Sequence, residues 1–235
     1  VQAGRSLRGR VGVPGDKSIS HRALLLGAIA EGTSRVDNIL RATDCLATLS
    51  TIRALGIQVE ELGPTVLHVH GQGLYGLQEP VDVLDCIRSG TTMRLLAGLL
   101  AGQSFFSILS GDPQLRRRPM GRIADPLRLM GAQVLGREGG RRPPLAIQGG
   151  HLQGIEYALP VASAQVKSAL LLAALYAEGT TKLQVPGPAR DHTERLLEAM
   201  GCPVQAVGTS VQVSSVERLN AVDLTVPGDL SSAAF

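Results

Sequence analysis

The sequence predicts an α/β (α+β) fold assembled from three copies of one βαβαββ unit. Three observations lead there. The string Val13-Pro14-Gly15-Asp16-Lys17-Ser18 returns as Val226-Pro227-Gly228-Asp229-Leu230-Ser231. Apolar helix-like runs end at Glu31-Gly32, Ala101-Gly102 and Glu178-Gly179, and a second set ends at Ala54-Leu55-Gly56, Leu129-Met130-Gly131 and Ala199-Met200-Gly201. Within each set the spacing is about 70 to 77 residues, the period expected when one supersecondary unit is copied. A fourth unit starts at Val226 without continuing, so the 235 residues are expected to be half of something larger.

In the first copy Ser18 is placed to cap a helix running through Ala23-Leu24-Leu25-Leu26 to Gly32, where a glycine suits the left-handed C-terminal position. Ser34 to Leu40 reads as a strand. Thr43 or Asp44 then caps a helix carrying Leu46, Leu49, Ile52, Ala54 and Leu55 at three- and four-residue spacing, stopped by Gly56. Strands Ile57 to Leu62 and Thr65 to His70 meet at the turn dipeptide Gly63-Pro64. The second copy gives a helix from Thr91 to Ala101, a strand at Phe105 to Leu109, a helix from Gly121 to Met130, and strands at Gln133 to Leu135 and Leu145 to Gln148. The third gives a helix from Gln165 to Ala177, a strand at Thr181 to Val185, a helix from His192 to Met200, and strands at Val204 to Val207 and Val211 to Ser214. Each copy is βαβαββ once the strand entering it is counted. Gly71 to Asp82 and Gly149 to Gly154 connect the copies.

With 44% hydrophobic residues the chain can bury a real core. No apolar run reaches the roughly 18 residues that span a bilayer, and Val1-Gln2-Ala3-Gly4-Arg5 precedes no hydrophobic signal core, so a cytoplasmic protein without a membrane partner is expected. Cys45, Cys86 and Cys202 are odd in number and lack a Cys-x-x-Cys pair, which points to buried free thiols rather than a disulfide or zinc framework. A net charge of +3, no Trp, three Phe and three Tyr leave little to hold or stack a nucleic acid, whereas a small-anion pocket accounts for the surplus if some Arg and Lys converge.

Two motifs are set aside. Gly71-Gln72-Gly73-Leu74-Tyr75-Gly76 has dinucleotide-loop spacing and follows a strand, but Leu77-Gln78-Glu79-Pro80 does not open a helix. His68 and His70 share a strand face with no third metal ligand, so they read as a solvated surface. By contrast, Lys17-Ser18-x-Ser20-x-Arg22 puts two cations and two hydroxyls on the first turns of a helix, where free N–H groups and the helix dipole already favour an anion. At the same place the second copy has Ser89-Gly90-Thr91-Thr92, and the third has Ser163-Ala164-Gln165 with Lys167. Three compact polar helix starts imply parallel helices aimed at one region. Arg116-Arg117-Arg118-Pro119 and Arg190-Asp191-His192 precede the second helix of their copies, in register with Thr43-Asp44.

Val13-Pro14-Gly15-Asp16-Lys17-Ser18-Ile19-Ser20-His21-Arg22-Ala23-Leu24-Leu25, Ser89-Gly90-Thr91-Thr92-Met93-Arg94-Leu95, Leu115-Arg116-Arg117-Arg118-Pro119-Met120 and Ser163-Ala164-Gln165-Val166-Lys167-Ser168-Ala169 closely resemble the 5-enolpyruvylshikimate-3-phosphate synthase family. The resemblance runs in order from Val11 to Phe235 and covers that family's N-terminal half. It implies an enolpyruvyl-transferase fold of two domains, each with three βαβαββ units whose parallel helices point their N-termini at the interdomain cleft. It also implies transfer of the enolpyruvyl group of phosphoenolpyruvate to the 5-hydroxyl of shikimate 3-phosphate, as a monomer and without metal or organic cofactor. On that basis residues 12–227 form a shikimate-3-phosphate-binding domain with repeats at 12–80, 81–154 and 155–227. Residues 1–11 and 228–235 then cross to a C-terminal domain that would carry the acid–base carboxylates.

Carried over by motif, Lys17 touches both substrates and is the catalytic residue of this half. Ser18, Arg22, Ser163, Ala164 and Gln165 hold shikimate 3-phosphate; Gly90, Arg118 and again Gln165 contact phosphoenolpyruvate. Two departures stand out. Arg88 replaces the family's usual Asn before Ser89-Gly90, and Ala189 replaces its usual Ser before Arg190-Asp191-His192. UDP-N-acetylglucosamine enolpyruvyl transferase shares the fold, but it usually has Lys-Asn where this chain has Lys17-Ser18, and a cysteine in the loop that is Pro113 to Met120 here. A non-catalytic anion-binding repeat domain is the remaining alternative.

Overall fold

A computed structural model of the chain describes residues 12–229, so residues 1–11 and most of the second expected crossover lie outside the described part. The first copy contributes α1 (Lys17–Ala28), β1 (Glu31–Asp37), α2 (Thr43–Ala54), β2 (Gln58–Gly63) and β3 (Val66–Gln72). The second contributes β4 (Leu84–Asp85), α3 (Gly90–Ala101), β5 (Phe106–Ser110), a 3₁₀ turn (Leu115–Arg117), α4 (Gly121–Leu129), β6 (Gln133–Gly136), the one-turn α5 (Arg137–Gly140) and β7 (Arg142–Gln148). β8 (Leu152–Gln153) precedes the third copy. That copy has β9 (Glu156–Ala158), α6 (Ala164–Ala174), β10 (Ala177–Glu178), β11 (Thr180–Gln184), α7 (His192–Ala199), β12 (Val204–Val207) and β13 (Ser210–Ser214), followed by β14 (Leu224–Thr225).

Three four-stranded sheets share one topology: a short strand parallel to the strand between the helices, then two antiparallel strands. Their orders are β14-β1-β3-β2, β4-β5-β7-β6 and β9-β11-β13-β12. The entering strand of the first sheet comes from the far end of the chain, with Val36 paired to Leu224 and Asp37 to Thr225. The duplicated string also meets itself. Asp16 N–H donates to Pro227 O at 2.8 Å and Asp229 N–H to Pro14 O at 2.9 Å, an antiparallel exchange centred on Gly15 and Gly228.

α1, α3 and α6 form the centre. In α3 every residue except Arg94 is buried; α1 exposes only Lys17, Ser18 and Ile19, and α6 only Ala164 and Gln165. Such helices are apolar along their length because they are surrounded on all sides. α3 and α6 cross at Gly98, where a β-carbon would lie 2.0 Å from Ala169 O; only glycine permits that approach. Each outer helix leans on the next copy's inner helix, α2 on α3, α4 on α6 and α7 on α1, so the three copies close into a ring.

The helix starts differ in detail from the sequence reading. Asp16, not Ser18, caps α1, its carboxylate accepting from Ile19 N–H at 2.9 Å. Ser18 lies one residue inside the helix, which leaves its hydroxyl free for other contacts. α2 has Ala42 at its cap and no side-chain cap bond, so Thr43 and Asp44 are its first two residues. Ser89 and Ser163 cap α3 and α6. All three cysteines are buried free thiols, and burial pushes Cys45 up to about 12 and Cys202 up to about 11.

Candidate anion site at the inner helix N-termini

The residues left unburied on the three inner helices all lie in their first turns or, for Arg94, one turn in. Around them stand two arginine-centred clusters and one ion pair. Arg22, 3% exposed, donates from Nε to Thr193 Oγ1 at 2.6 Å, from Nη2 to Ser168 Oγ at 2.6 Å and from Nη1 to Ser18 O at 2.9 Å. Ser168 and Thr193 bond each other at 2.7 Å. Three of the five guanidinium N–H groups are thus used and two remain. Burial holds Arg22 down to about 10 despite the opposing charges of Glu194 and Asp16. Arg190, an exposed residue of the loop before α7, donates to Ser18 Oγ at 3.3 Å.

The second cluster joins α3 to α6. Arg94 Nη1 donates to Gln165 Oε1 at 2.6 Å, and Gln165 Nε2 donates to Thr91 Oγ1 at 2.9 Å. Arg94 Nη2 reaches Pro119 O at 3.3 Å. Arg118 closes over the start of α3: a β-carbon on Gly90 would lie 2.8 Å from Arg94 Nη1 and 3.0 Å from Arg118 Nη1. Burial, then the charges of Arg118 and Arg122, hold Arg94 below its ordinary value. Among the described residues no carboxylate lies within 4 Å of Arg22, Arg94, Arg118 or Arg122 in an ion pair. Guanidinium groups gathered without a counter-charge repel one another, and an anion between them relieves that repulsion.

Lys17 is half-exposed and pairs with Asp44 Oδ2 at 3.3 Å. A solvated pair of this kind is weak, so the ammonium can exchange its carboxylate for another anion readily. Beneath it, His21 Nδ1 contacts Thr48 Oγ1 at 2.6 Å, which contacts Thr92 Oγ1 at 2.7 Å, which donates to the Ser89 hydroxyl at 2.7 Å. These buried contacts tie α1 and α2 to the start of α3. With the bonds from Gln165 to Thr91 and from Arg22 to Ser168, all three helix starts are fixed relative to one another.

Of the residues singled out from sequence, Gly90, Arg118 and Gln165 gather in the α3–α6 cluster, and Ser18 and Arg22 in the α1–α6–α7 cluster. Lys17 sits on the α2 side of α1. Ser163 and Ala164 form the cap and first residue of α6, the Ser163 hydroxyl accepting from Val166 N–H at 3.4 Å. Arg88 pairs loosely with Asp112, at 3.8 Å, and is 60% exposed. Ala189 packs partly buried against the core. Sequence reasoning assigned no role to Arg94, Ser168, Thr193 or His21. A lone arginine inside the apolar run of α3 was the available signal for the first.

The glycine-rich Gly71–Gly76 segment lies at the other end of the inner helices. Leu74 O accepts from Gln103 beyond α3 and from the Tyr176 hydroxyl beyond α6, and no helix follows. A cavity of about 520 Å³ opens at that end beside Tyr75, Gly102, Tyr176 and Glu178, and no Lys or Arg lines it. His68 and His70 face Glu60 Oε2 at 3.7 and 3.9 Å on the first sheet, away from the helices.

A family model described as EPSP synthase (3-phosphoshikimate 1-carboxyvinyltransferase) matches residues 1–235. The chain belongs to the EPSP synthase family. A relative from Geobacter sp. (strain M21), named 3-phosphoshikimate 1-carboxyvinyltransferase, is 56% identical over 235 residues, 100% of this chain and 54% of the relative. One of the same name from Citrifermentans bemidjiense is 55% identical over the same span. The solved EPSP synthase of Acinetobacter baumannii superposes with a TM-score of 0.93 at 48% identity, over 96% of this chain and 51% of that one. The chain therefore spans about half the length of the EPSP synthases it matches, and the mixed α/β fold expected from sequence is the family's.

Proposed function

We propose that this chain is the shikimate-3-phosphate-binding part of an enzyme that transfers the enolpyruvyl group of phosphoenolpyruvate to the 5-hydroxyl of shikimate 3-phosphate. The observation that carries the reading is the gathering of Arg22, Arg94 and Arg118 around the starts of α1, α3 and α6, none of them in an ion pair with a carboxylate among the described residues. Both substrates are anions, and two anions can share a site only where fixed cations and helix ends offset their repulsion. Lys17, Ser18, Arg22, Ser163, Ala164 and Gln165 are assigned to shikimate 3-phosphate. Lys17, Gly90, Arg118 and Gln165 are assigned to phosphoenolpyruvate.

The transfer adds the 5-hydroxyl oxygen to C2 of phosphoenolpyruvate and a proton to C3, giving a tetrahedral intermediate. Loss of phosphate with the C2–O bonding pair, and of a proton from C3, restores the double bond. In this reading Lys17 and the arginines hold the two phosphates apart and stabilise the departing one, while the carboxylates that move protons come from a second domain. Residues 12–227 act as one domain, and the segments before and after it cross to the other. In this reading the enzyme is monomeric and cytoplasmic; among the described residues no helix is long and apolar enough to cross a membrane.

The test is to titrate the full-length protein with shikimate 3-phosphate by calorimetry, with UDP-N-acetylglucosamine and inorganic phosphate as comparisons, and then to follow phosphate release on adding phosphoenolpyruvate. Selective binding of shikimate 3-phosphate and release only with both substrates is expected. Selective binding of the nucleotide sugar instead, or equal binding of every phosphate without turnover, would overturn the proposal. The 235-residue chain alone should bind shikimate 3-phosphate weakly and release no phosphate.

A further inference from the structure

Beneath Arg22, two adjacent residue pairs face each other across α6 and α7. Ser168 and Thr193 share a hydrogen bond and together hold Arg22. Next to them Lys167 pairs with Glu194, and both side chains are only 5% exposed. Glu194 is also the strongest charge favouring the protonated form of Arg22, ahead of Asp16, with Arg190 opposing. Its second oxygen, Oε2, is buried without a hydrogen-bond partner in the described structure. One buried carboxylate thus stands near two cations and is committed to one of them.

We propose that Lys167 is a positioning residue for the anion site: by occupying Glu194 it leaves the Arg22 guanidinium unneutralised, held by Ser168 and Thr193, with two N–H groups for a phosphate. This rests on the reading of Arg22 as an anion ligand. Removing one partner of a buried pair leaves the other charge uncompensated, a strongly unfavourable state that the surroundings move to relieve. Without Lys167, the cation placed to relieve Glu194 is Arg22, whose hydrogen-bond partners adjoin both members of the pair. Capture by Glu194 would turn the guanidinium away from Ser168 and Thr193 and cancel its charge. A carboxylate that helps Arg22 from a distance would then become the substrate's competitor.

The test combines four variants of the full-length protein with two measurements: calorimetric affinity for shikimate 3-phosphate, and the NMR signal of the Arg22 Nε–H group, identified by its loss in the fourth, Arg22→Lys. Lys167→Met should weaken binding at least tenfold and shift the Arg22 signal. Adding Glu194→Gln to Lys167→Met removes the competitor, so affinity should return to within about threefold of the parent and the signal to its place. A purely structural role would lower the Tm of Lys167→Met and restore it in the double variant without moving the Arg22 signal in either. Glu194→Gln alone, which carries the test if Lys167→Met does not fold, should bind shikimate 3-phosphate as tightly as the parent or more tightly. No recovery in the double variant, or a tenfold loss in Glu194→Gln, would overturn the proposal. If the Arg22 signal moves and recovers while affinity stays constant, the positioning role stands and the assignment of Arg22 to the anion site falls.

Discussion

Replacing Gly90 with alanine tests the α3–α6 cluster most directly. The added methyl carbon would sit 2.8 Å from Arg94 Nη1 and 3.0 Å from Arg118 Nη1, several tenths of an ångström inside van der Waals contact. Both neighbours are ends of long side chains, so they yield while the backbone stays. Gly90 is the first residue of α3 without a positive φ, and alanine there costs the helix nothing and gains at most about 1 kcal/mol of propensity. The effect should therefore appear in binding rather than folding. Displacing Arg118 from its ligand forfeits about one charge-assisted hydrogen bond, roughly 1.5 to 3 kcal/mol. At 1.4 kcal/mol per tenfold, that raises the phosphoenolpyruvate KM about ten- to hundredfold. Steady-state kinetics of the full-length protein, varying each substrate in turn, should show this with Tm nearly constant and a smaller rise in the shikimate 3-phosphate KM, because the methyl also presses on Arg94, which holds Gln165. An unchanged phosphoenolpyruvate KM, or equal rises for both substrates, would refute the placement of Arg118.

Arg88→Asn should alter neither KM by more than about twofold, because Arg88 is mostly solvated and its partner is Asp112; a marked loss of phosphoenolpyruvate affinity would make it a ligand. Gly98→Val should cost about 3 kcal/mol in urea denaturation, since its β-carbon would collide with the Ala169 backbone and push α3 off α6, and a loss below about 1 kcal/mol would contradict that crossing. His21 is held down to about 4 from 6.5 by burial, so the unfolded chain takes up a proton that the folded one refuses. The His21 contribution is intact above pH 6.5 and is lost progressively as pH falls towards 4. Between pH 7 and 4.5 the parent should lose about 2 kcal/mol more stability than His21→Asn; parallel curves would rule this out.

Helices and long strands were legible because glycines punctuate strong apolar runs: Gly56, Gly131 and Gly201 take positive φ just past α2, α4 and α7, whereas Gly102 ends α3 at φ −88° and α1 and α6 stop at Ala28 and Ala174, short of Gly32 and Gly179. Helix caps were less so. Asp16 and Ser18 are both good cap residues two positions apart, and only the backbone angle at Asp16 decides between them. The two-residue strands β4, β8, β10 and β14 are too short to carry alternation and exist because a neighbour pairs with them. The anion site was visible as three polar helix starts, but its wiring was not. Ser168 and Thr193 read as small helix residues until the fold brings Arg22 from 146 and 171 positions away. Arg88 marks the opposite case, a departure from the usual family residue that falls on a largely solvated side chain.

The strand β14 sets a schedule for the first copy. Its sheet is edged by residues 224–225, and bonds such as Asn38 to Val226 O and Arg35 N–H to Asp223 span 188 positions. At about 5 to 20 residues per second of synthesis, β1 waits roughly 10 to 40 s for that edge. The N-terminal copy, made first, is therefore among the last to be complete, and its open parallel edge is exposed on the ribosome throughout. A nascent chain paused before residue 224 should be a better client for chaperones than one extended far enough for residues 224–229 to have left the ribosome.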